Sequence, residues 1–175
     1  MNPSFPSERL HYCPYCGADA FRAGKENYLQ CVACGKKIFI NAAAAVACVI
    51  VNDRKEILLT RRRKAPAQGM LDLPGGFVNI DETAEDAVRR EIKEELNLQV
   101  GHMRYFGSST NRYPYEDMLY YTLDLGFECT VADFSPLNAA DDVEGYLFLP
   151  YREIDFQQIG FPSIRRLIKQ YNKTA

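Results

Sequence analysis

The sequence predicts an α/β sandwich with a small metal-stapled module in front of it. Three observations point that way. Four cysteines fall in the first 34 residues as two C-x-x-C units, strand-like β-branched stretches lie on both sides of one long helix, and a second amphipathic helix closes the chain. At 175 residues, with 47% hydrophobic and 25% charged side chains, the chain has the length of one domain plus an appendage and the composition of a folded protein. Its 21 basic and 23 acidic residues leave a formal net charge of -2, which excludes a chain-wide basic surface for nucleic acid. No charged start followed by an apolar stretch opens the chain, and its longest apolar run, Ala42 to Val51, is half of the roughly 20 residues that a membrane helix needs. A cytoplasmic, reducing location without a membrane partner is the expectation, and it favours thiolates on a metal over disulfides.

The first element is the module at residues 1–40. Cys13-Pro-Tyr-Cys16-Gly17 and Cys31-Val-Ala-Cys34-Gly35 repeat one design. A two-residue gap turns both sulfurs of a unit toward one point about 2.3 Å away, and two such turns make a tetrahedral S₄ site for a structural Zn²⁺. Each following glycine suits a backbone of positive φ. Paired disulfides or a redox C-x-x-C are the competing readings, and neither fits a reducing compartment without a strand-to-helix junction at the cysteines. Cys48 and Cys129 sit in apolar stretches and read as small core residues. The loop between the units bears Arg22 and Lys25 but is not strongly basic, so nucleic acid is not the expected partner.

Residues 41–175 form the second domain. Val46 to Val51 is a buried strand despite the alanines before it, and Glu56 to Arg61 is expected to be its hairpin partner across a polar turn. Leu71 to Phe77 breaks from a short strand into a glycine loop. Thr83 to Leu96 is a helix with Thr83 at its N-cap and Asp86 as a weaker capping-box partner. Val100 to Gly107, Met118 to Glu128 and Tyr146 to Leu149 read as further strands. Pro162 opens a final helix with Ile164, Leu167 and Ile168 on one face.

The central helix carries the chemistry. At about 100° per residue, Glu91 and Glu95 fall within the apolar arc of Ala84, Ala87, Val88 and Ile92, and Glu94 lies at its edge. Two carboxylates on a core-facing stripe repel each other and lose solvation. A divalent cation would offset both costs, and a cluster of oxygen ligands suits Mg²⁺ or Mn²⁺. Arg90 projects away and is better placed to reach Glu94 or Asp86. A solvated helix with Glu85–Arg89 and Arg90–Glu94 pairs is the bland reading, and it leaves the inward carboxylates unexplained.

Gly76, Glu82, Arg90, Glu91, Ile92, Glu94, Glu95 and Leu98 match G-x5-E-x7-R-E-U-x-E-E-x-G-U, the Nudix box, with Asn97 standing in for its second glycine. The chain therefore resembles a Nudix hydrolase over Ala43 to Ile168. The resemblance implies an α/β/α sandwich with a mixed sheet and cleavage of a nucleoside diphosphate linked to another group. It makes Glu91 and Glu95 metal ligands with Glu94 close by, gives Glu94, Glu95 and Arg90 the catalytic roles, and lets the Gly75 carbonyl touch the metal. Arg90 would orient Glu91 or Glu94, and Glu82 would hold the loop.

The chemistry implied is substitution at phosphorus by water, with a carboxylate taking the proton. Among Asp141, Asp142 and Glu144, a further ligand is expected at Asp142 or Glu144, against the alternative of a solvated acidic loop. Arg61 and Arg63, in the run Arg61 to Lys64, would bind phosphate or else form a solvated rim. A zinc ribbon before the domain is similar to the NADH pyrophosphatase group, whose S-Q-P-W-P-F-P-x-S array is met here only at Ser108, Tyr113 and Pro114. Tyr113 and Tyr115 would stack on a base, or pack in the core or a loop. The substrate expected is a small nucleotide such as NADH, ADP-ribose or FAD. The alternatives are a nucleoside triphosphate or capped RNA, and, from another class, a ligand-sensing or nucleic-acid-binding regulator. The related enzymes suggest a homodimer.

Overall fold

A computed structural model describes residues 5–24 and 27–174, with the side chain of the last left out; Lys25 lies outside the described residues. The chain resolves into two compact units. One comprises Met1–Ala43 with Arg112–Tyr121, and the other Ala44–Asn111 with Thr122–Ala175.

The first unit begins with the one-turn helix α1 (Pro6–Arg9) and continues into three short antiparallel strands in the order β1 (Phe21–Ala23), β2 (Tyr28–Cys31), β3 (Lys37–Phe39). Phe21 pairs with Cys31 and Leu29 with Ile38, so the second knuckle is sewn into the sheet. Among the described residues its core gathers Cys13, Phe21, Leu29 and Cys31 with Ala20, Ile38 and Ile40 around them. So little buried apolar surface does not hold a fold by itself, which is why four sulfurs sit at its centre.

The remaining strands form two three-stranded sheets. One runs β4 (Ala43–Ile50), β8 (Met118–Cys129), β7 (Met103–Tyr115), and the other runs β6 (Leu71–Asp72), β5 (Glu56–Arg62), β9 (Val143–Pro150). β5 meets β9 from Glu56↔Pro150 to Arg62↔Val143, with a register shift between Arg61 and Arg62. A parallel bridge joins Leu71 to Ile159. α2 (Ala84–Leu96) buries Ala87, Val88, Ile92 and Leu96 against Val46, Cys48 and Ile50 of β4, Leu58 of β5, and Phe127 and Cys129 of β8. α3 (Pro162–Thr174) covers the other side. Leu167 lies against Gly126, and the Phe106 and Tyr171 rings stand 5.6 Å apart. Gly126 and Phe127 are consecutive in a strand and so face opposite ways, one toward each helix. This is the expected α/β/α sandwich. Among the described residues no helix is long and apolar enough to cross a membrane.

Two expectations are corrected. The strands flanking Asn52 do not form a hairpin. After the single bridge Val51↔Ile57 they part into different sheets. The turn itself is satisfied, because Asn52 Oδ1 accepts the amides of Arg54 and Glu56. Both strands are buried over several consecutive residues, the mark of elements covered on both faces, and such strands draw partners from elsewhere. The strand expected over Val100 to Gly107 instead runs from Met103 to Tyr115, alternating buried Ser109 and Asn111 with exposed neighbours before the turn at Glu116 and Asp117.

α2 ends as its sequence dictates. Asn97 takes φ 55°, its amide bonds Lys93 O at 3.0 Å, and the Leu98 amide reaches Ile92 O. Asn is the best replacement for glycine there. Asn97→Ala is expected to lower stability by about 1 kcal/mol, read as a lower urea midpoint, while Asn97→Gly keeps the geometry.

Candidate active site

The two knuckles are built alike. The Gly17 amide bonds Cys13 O and the Gly35 amide bonds Cys31 O, both at 2.8 Å, with φ of 72° and 75° at the glycines. The four sulfurs lie within 4.8 Å of one another, with Cys13–Cys34 and Cys16–Cys31 at 3.7 Å. A tetrahedron with bonds of about 2.3 Å has edges of about 3.8 Å, so the thiols fit one metal ion. The Cys34 amide, 3.4 Å from the Cys31 sulfur, holds the Cys31 thiol down to about 7, which favours the thiolate a metal needs.

In the second unit the loop Pro74 to Phe77 is laced to β4. Cys48 and Val46 donate their amides to Pro74 O and Gly76 O, both at 2.8 Å. A side chain at Gly75 would run into Val46 O, and one at Gly76 would meet the Glu91 carboxylate. Gly75 is there because the backbone of β4 passes too close for a Cβ, and Gly76 leaves room for the Glu91 carboxylate. The loop thus presents the Gly75 amide to Glu95 Oε2 at 2.9 Å.

Glu95 is buried at 8% exposure. Lost solvation pushes its carboxyl up to about 8, with Glu91 and Asp72 adding to the rise and the Gly75 amide opposing it. Burial likewise raises Glu91. Arg90 spans the group. Its Nε and Nη2 grip both oxygens of Glu82 at 2.7 and 2.8 Å, its Nη1 reaches Glu91 at 2.7 Å and Glu94 at 3.1 Å, and Nη2 also bonds Phe77 O at 2.9 Å. The helical projection turns Arg90 away from Glu91, but the length of its side chain brings the guanidinium back. Asp86 is engaged instead with Thr83. Arg90 drives Glu82 down to about 2, and Glu82 also accepts the Asn79 amide, closing the loop onto the helix.

The burial of Glu95 has a consequence for pH. A carboxyl raised above its ordinary value contributes stability that is complete below that value and is lost as pH rises through the raised one. Without added divalent cation, the melting temperature is therefore expected to fall as pH goes from 5 to 8.5. Glu82, shifted the other way, changes only below its ordinary value and does not act in this window. Calorimetric scans at both pH values check this, and a flat or rising profile contradicts it.

The basic run is divided. Arg61 Nη1 donates to Gly69 O at 2.6 Å. Arg63 donates to the carbonyls of Asp141 and Val143, both at 2.8 Å, and so clasps the acidic loop. Lys64 pairs with Asp142 at 2.6 Å. Arg62, which the sequence did not single out, turns inward to Asp72 at 2.9 Å and lies over the Phe161 ring. Glu95 feels its charge. Of the three late acids, Asp141 is the one whose charge reaches Glu91, whereas Asp142 is held by Lys64 and Glu144 stands exposed. The loop is anchored beside Glu95, since the amides of Asn138 and Ala140 bond the carbonyls of Leu96 and Glu95. Tyr113 and Tyr115, stacked with centroids 6.4 Å apart, belong to the first unit.

A glycine turn pressed against a strand, feeding a helix whose inward carboxylates share one arginine, is an acidic centre of the kind that holds divalent cations on an α/β/α sandwich. The chain belongs to the NUDIX domain family, whose profile matches residues 42–171. It is similar to curated proteins called "NAD-capped RNA hydrolase NudC": 28% identical over 134 residues to that of Vibrio atlanticus (77% of this chain, 49% of the relative), and 32% over 136 residues to that of Vibrio parahaemolyticus (77% and 51%). The chain thus spans about half the length of these relatives. Among solved structures, a NUDIX hydrolase from Nitrosomonas europaea superposes with a TM-score of 0.71 at 22% identity, covering 94% of this chain and 91% of the other. The NUDIX domain of Shewanella oneidensis NrtR, solved with ADP ribose, does so at 0.64 and 20%, covering 78% and 90%. At such identities the likeness concerns the fold.

Proposed function

We propose that this chain is a divalent-metal-dependent pyrophosphohydrolase that cleaves the diphosphate of a nucleotide conjugate such as NADH, ADP-ribose or FAD. The observation that carries the reading is the pair of inward carboxylates, buried Glu95 and part-buried Glu91, held ready by the Gly75 amide and Arg90. Buried acids kept at such cost mark a site built for a positively charged ligand. Glu91, Glu95 and the Gly75 carbonyl would hold Mg²⁺ or Mn²⁺, with Glu94 at the rim. The cation, when bound, supplies charge neutralisation on the diphosphate and a more acidic water. Arg90 keeps Glu91 and Glu94 in fixed orientation. Glu94, half-exposed and tied by one bond to Arg90, is free to take the proton of the attacking water. Arg63 sets the acidic loop, whose Asp141 completes the negative pocket more directly than Asp142 or Glu144. Arg61, at the end of β5, is the phosphate-binding cation of this reading.

A second reading, hydrolysis of an NAD cap on RNA, is favoured by the name of the curated relatives. It needs the same diphosphate chemistry with a longer leaving group. Turnover of free nucleotides and of NAD-capped oligoribonucleotides with Mg²⁺ and with Mn²⁺, products separated by chromatography, distinguishes the two. Failure to cleave any diphosphate sinks both.

The thiol cluster is proposed to hold a structural Zn²⁺. Purified protein is expected to carry about one equivalent of zinc, and Cys31→Ser less than half of that. Full zinc in the variant, or none in the wild type, contradicts the assignment. A homodimer in a reducing compartment completes the proposal.

A further inference from the structure

β6 is a short strand, yet its second residue is an acid only 7% exposed, and the glycine loop of the acidic centre starts directly after it. Asp72 stands opposite Thr60 in the ladder with β5. Three bonds fix it. Its Oδ1 accepts the Leu73 amide at 2.9 Å, its Oδ2 accepts from Arg62 Nη1 at 2.9 Å, and its carbonyl accepts from the Thr60 hydroxyl at 3.4 Å. Arg62 is fixed in turn. Its amide donates to Met70 O at 3.0 Å, its Nε donates to Pro66 O at 2.8 Å, and its guanidinium lies 5.0 Å from the centre of the Phe161 ring. The two side chains thus meet diagonally across β5 and β6 as an ion pair, 21% and 10% exposed. From Asp72 the chain runs through Leu73 and Pro74 to Gly75. Pro74 O accepts the Cys48 amide, and the Gly75 amide meets Glu95 Oε2 at 2.9 Å.

A buried ion pair is a poor device for stability. Desolvation of both charges offsets their attraction, and apolar side chains of similar size often do as well or better. What such a pair supplies is geometry, since a fork bonded at two points and backed by a ring admits one arrangement. Here it arranges the root of the glycine loop. Gly75 takes φ of 140°, a conformation with little intrinsic restraint, so the loop needs a fixed starting point. We propose that Arg62 and Asp72 are positioning residues of the cation centre: the pair pins the start of the glycine loop and so fixes where the Gly75 amide and carbonyl stand against Glu95. Neither side chain touches the cation. The proposal rests on the divalent-metal reading above and deepens it by naming what, outside α2, sets the affinity of the site. Groups that orient metal ligands govern affinity without being ligands themselves.

The test is binding of Mn²⁺ alone to the full chain, read from the electron paramagnetic resonance signal of the free ion, together with hydrogen exchange over residues 71–77. Loss of binding in Glu95→Gln marks the ion as the one in this centre. The double variant Arg62→Met with Asp72→Asn leaves no charge unpaired and keeps an acceptor for the Leu73 amide, so it is expected to melt close to the wild type. Its Mn²⁺ affinity is expected to fall about tenfold, and the Gly75 amide to exchange faster. Arg62→Lys keeps the charge without the fork and is expected to lie between the two. Unchanged Mn²⁺ affinity in the double variant overturns the proposal, as does a loss that only follows a loss of folded protein, or a wild type without Glu95-dependent binding. Cleavage of diphosphates by the same wild-type preparation reports separately on the hydrolase reading. An active wild type with an insensitive double variant refutes the pair alone, and pair-dependent Mn²⁺ binding without cleavage refutes the hydrolase alone.

Discussion

Glu95→Gln is expected to lower turnover on the order of 10³-fold while making the protein more stable at alkaline pH. The two effects share one cause. Glu95 is a carboxylate held at a depth where its charge is unwelcome, which is why its carboxyl is pushed up to about 8. Glutamine has the same shape and keeps an acceptor for the Gly75 amide. It brings no charge for a cation to meet. At pH 5.5 the wild-type side chain is already protonated, so the two proteins should melt alike. At pH 8.5 the wild type carries the buried charge and the variant does not, so the variant gains on the order of 1 kcal/mol without divalent cation. Added Mg²⁺ should raise the wild-type melting temperature and leave the variant unmoved. Full activity in the variant would remove Glu95 from the chemistry. A stability gain equal at both pH values would remove the buried charge as its cause.

Arg90→Lys is expected to lose about 2–3 kcal/mol of stability and most activity, although the charge is kept. All five donors of the arginine are committed in the structure, in two bonds to Glu82, one each to Glu91 and Glu94, and one to Phe77 O. Lysine has three donors on one atom and cannot span carboxylates on both sides. The cost is discounted from that of a fully buried pair because the Arg90 side chain is 26% exposed. The pH dependence has a set sign. Glu82 is held down to about 2, so its contribution is present above its ordinary value and disappears as pH falls through 2. The gap between wild type and variant in urea midpoint should therefore be widest near neutrality and close toward pH 2. A gap that does not change with pH would mean that packing, not the carboxylate clamp, carries the loss.

The parts read most directly from sequence are those whose signal is local. The two C-x-x-C-Gly units specify their own turns, and the structure repeats them with matching glycine φ and amide bonds. The spacing of Val88, Glu91, Ile92 and Glu95 fixes which carboxylates look inward, because helical geometry leaves little choice. What escaped was non-local. A strand such as Glu56–Arg62 has the same composition whether it pairs with the preceding strand or with β9, so its partner is not written in it. The run Arg61-Arg62-Arg63 lies at the end of β5, across a register shift between Arg61 and Arg62, so periodicity does not say which arginine turns inward. Only the knowledge that Asp72 waits on β6 shows that Arg62 is the inward one. Asp141 was indistinguishable from Asp142 and Glu144 until Arg63 and Lys64 fixed the loop.

The central claim is water attack on phosphorus within a diphosphate, supported by Glu91 and Glu95. Its most direct test is turnover of NAD⁺ in ¹⁸O-water with Mg²⁺ or Mn²⁺, followed by mass spectrometry of the products. The expected result is two nucleoside monophosphates, one of them carrying a single ¹⁸O on its phosphate, formed by the wild type and lost with Glu95→Gln. Release of free nicotinamide, monophosphates without label, or turnover that survives in Glu95→Gln would contradict it.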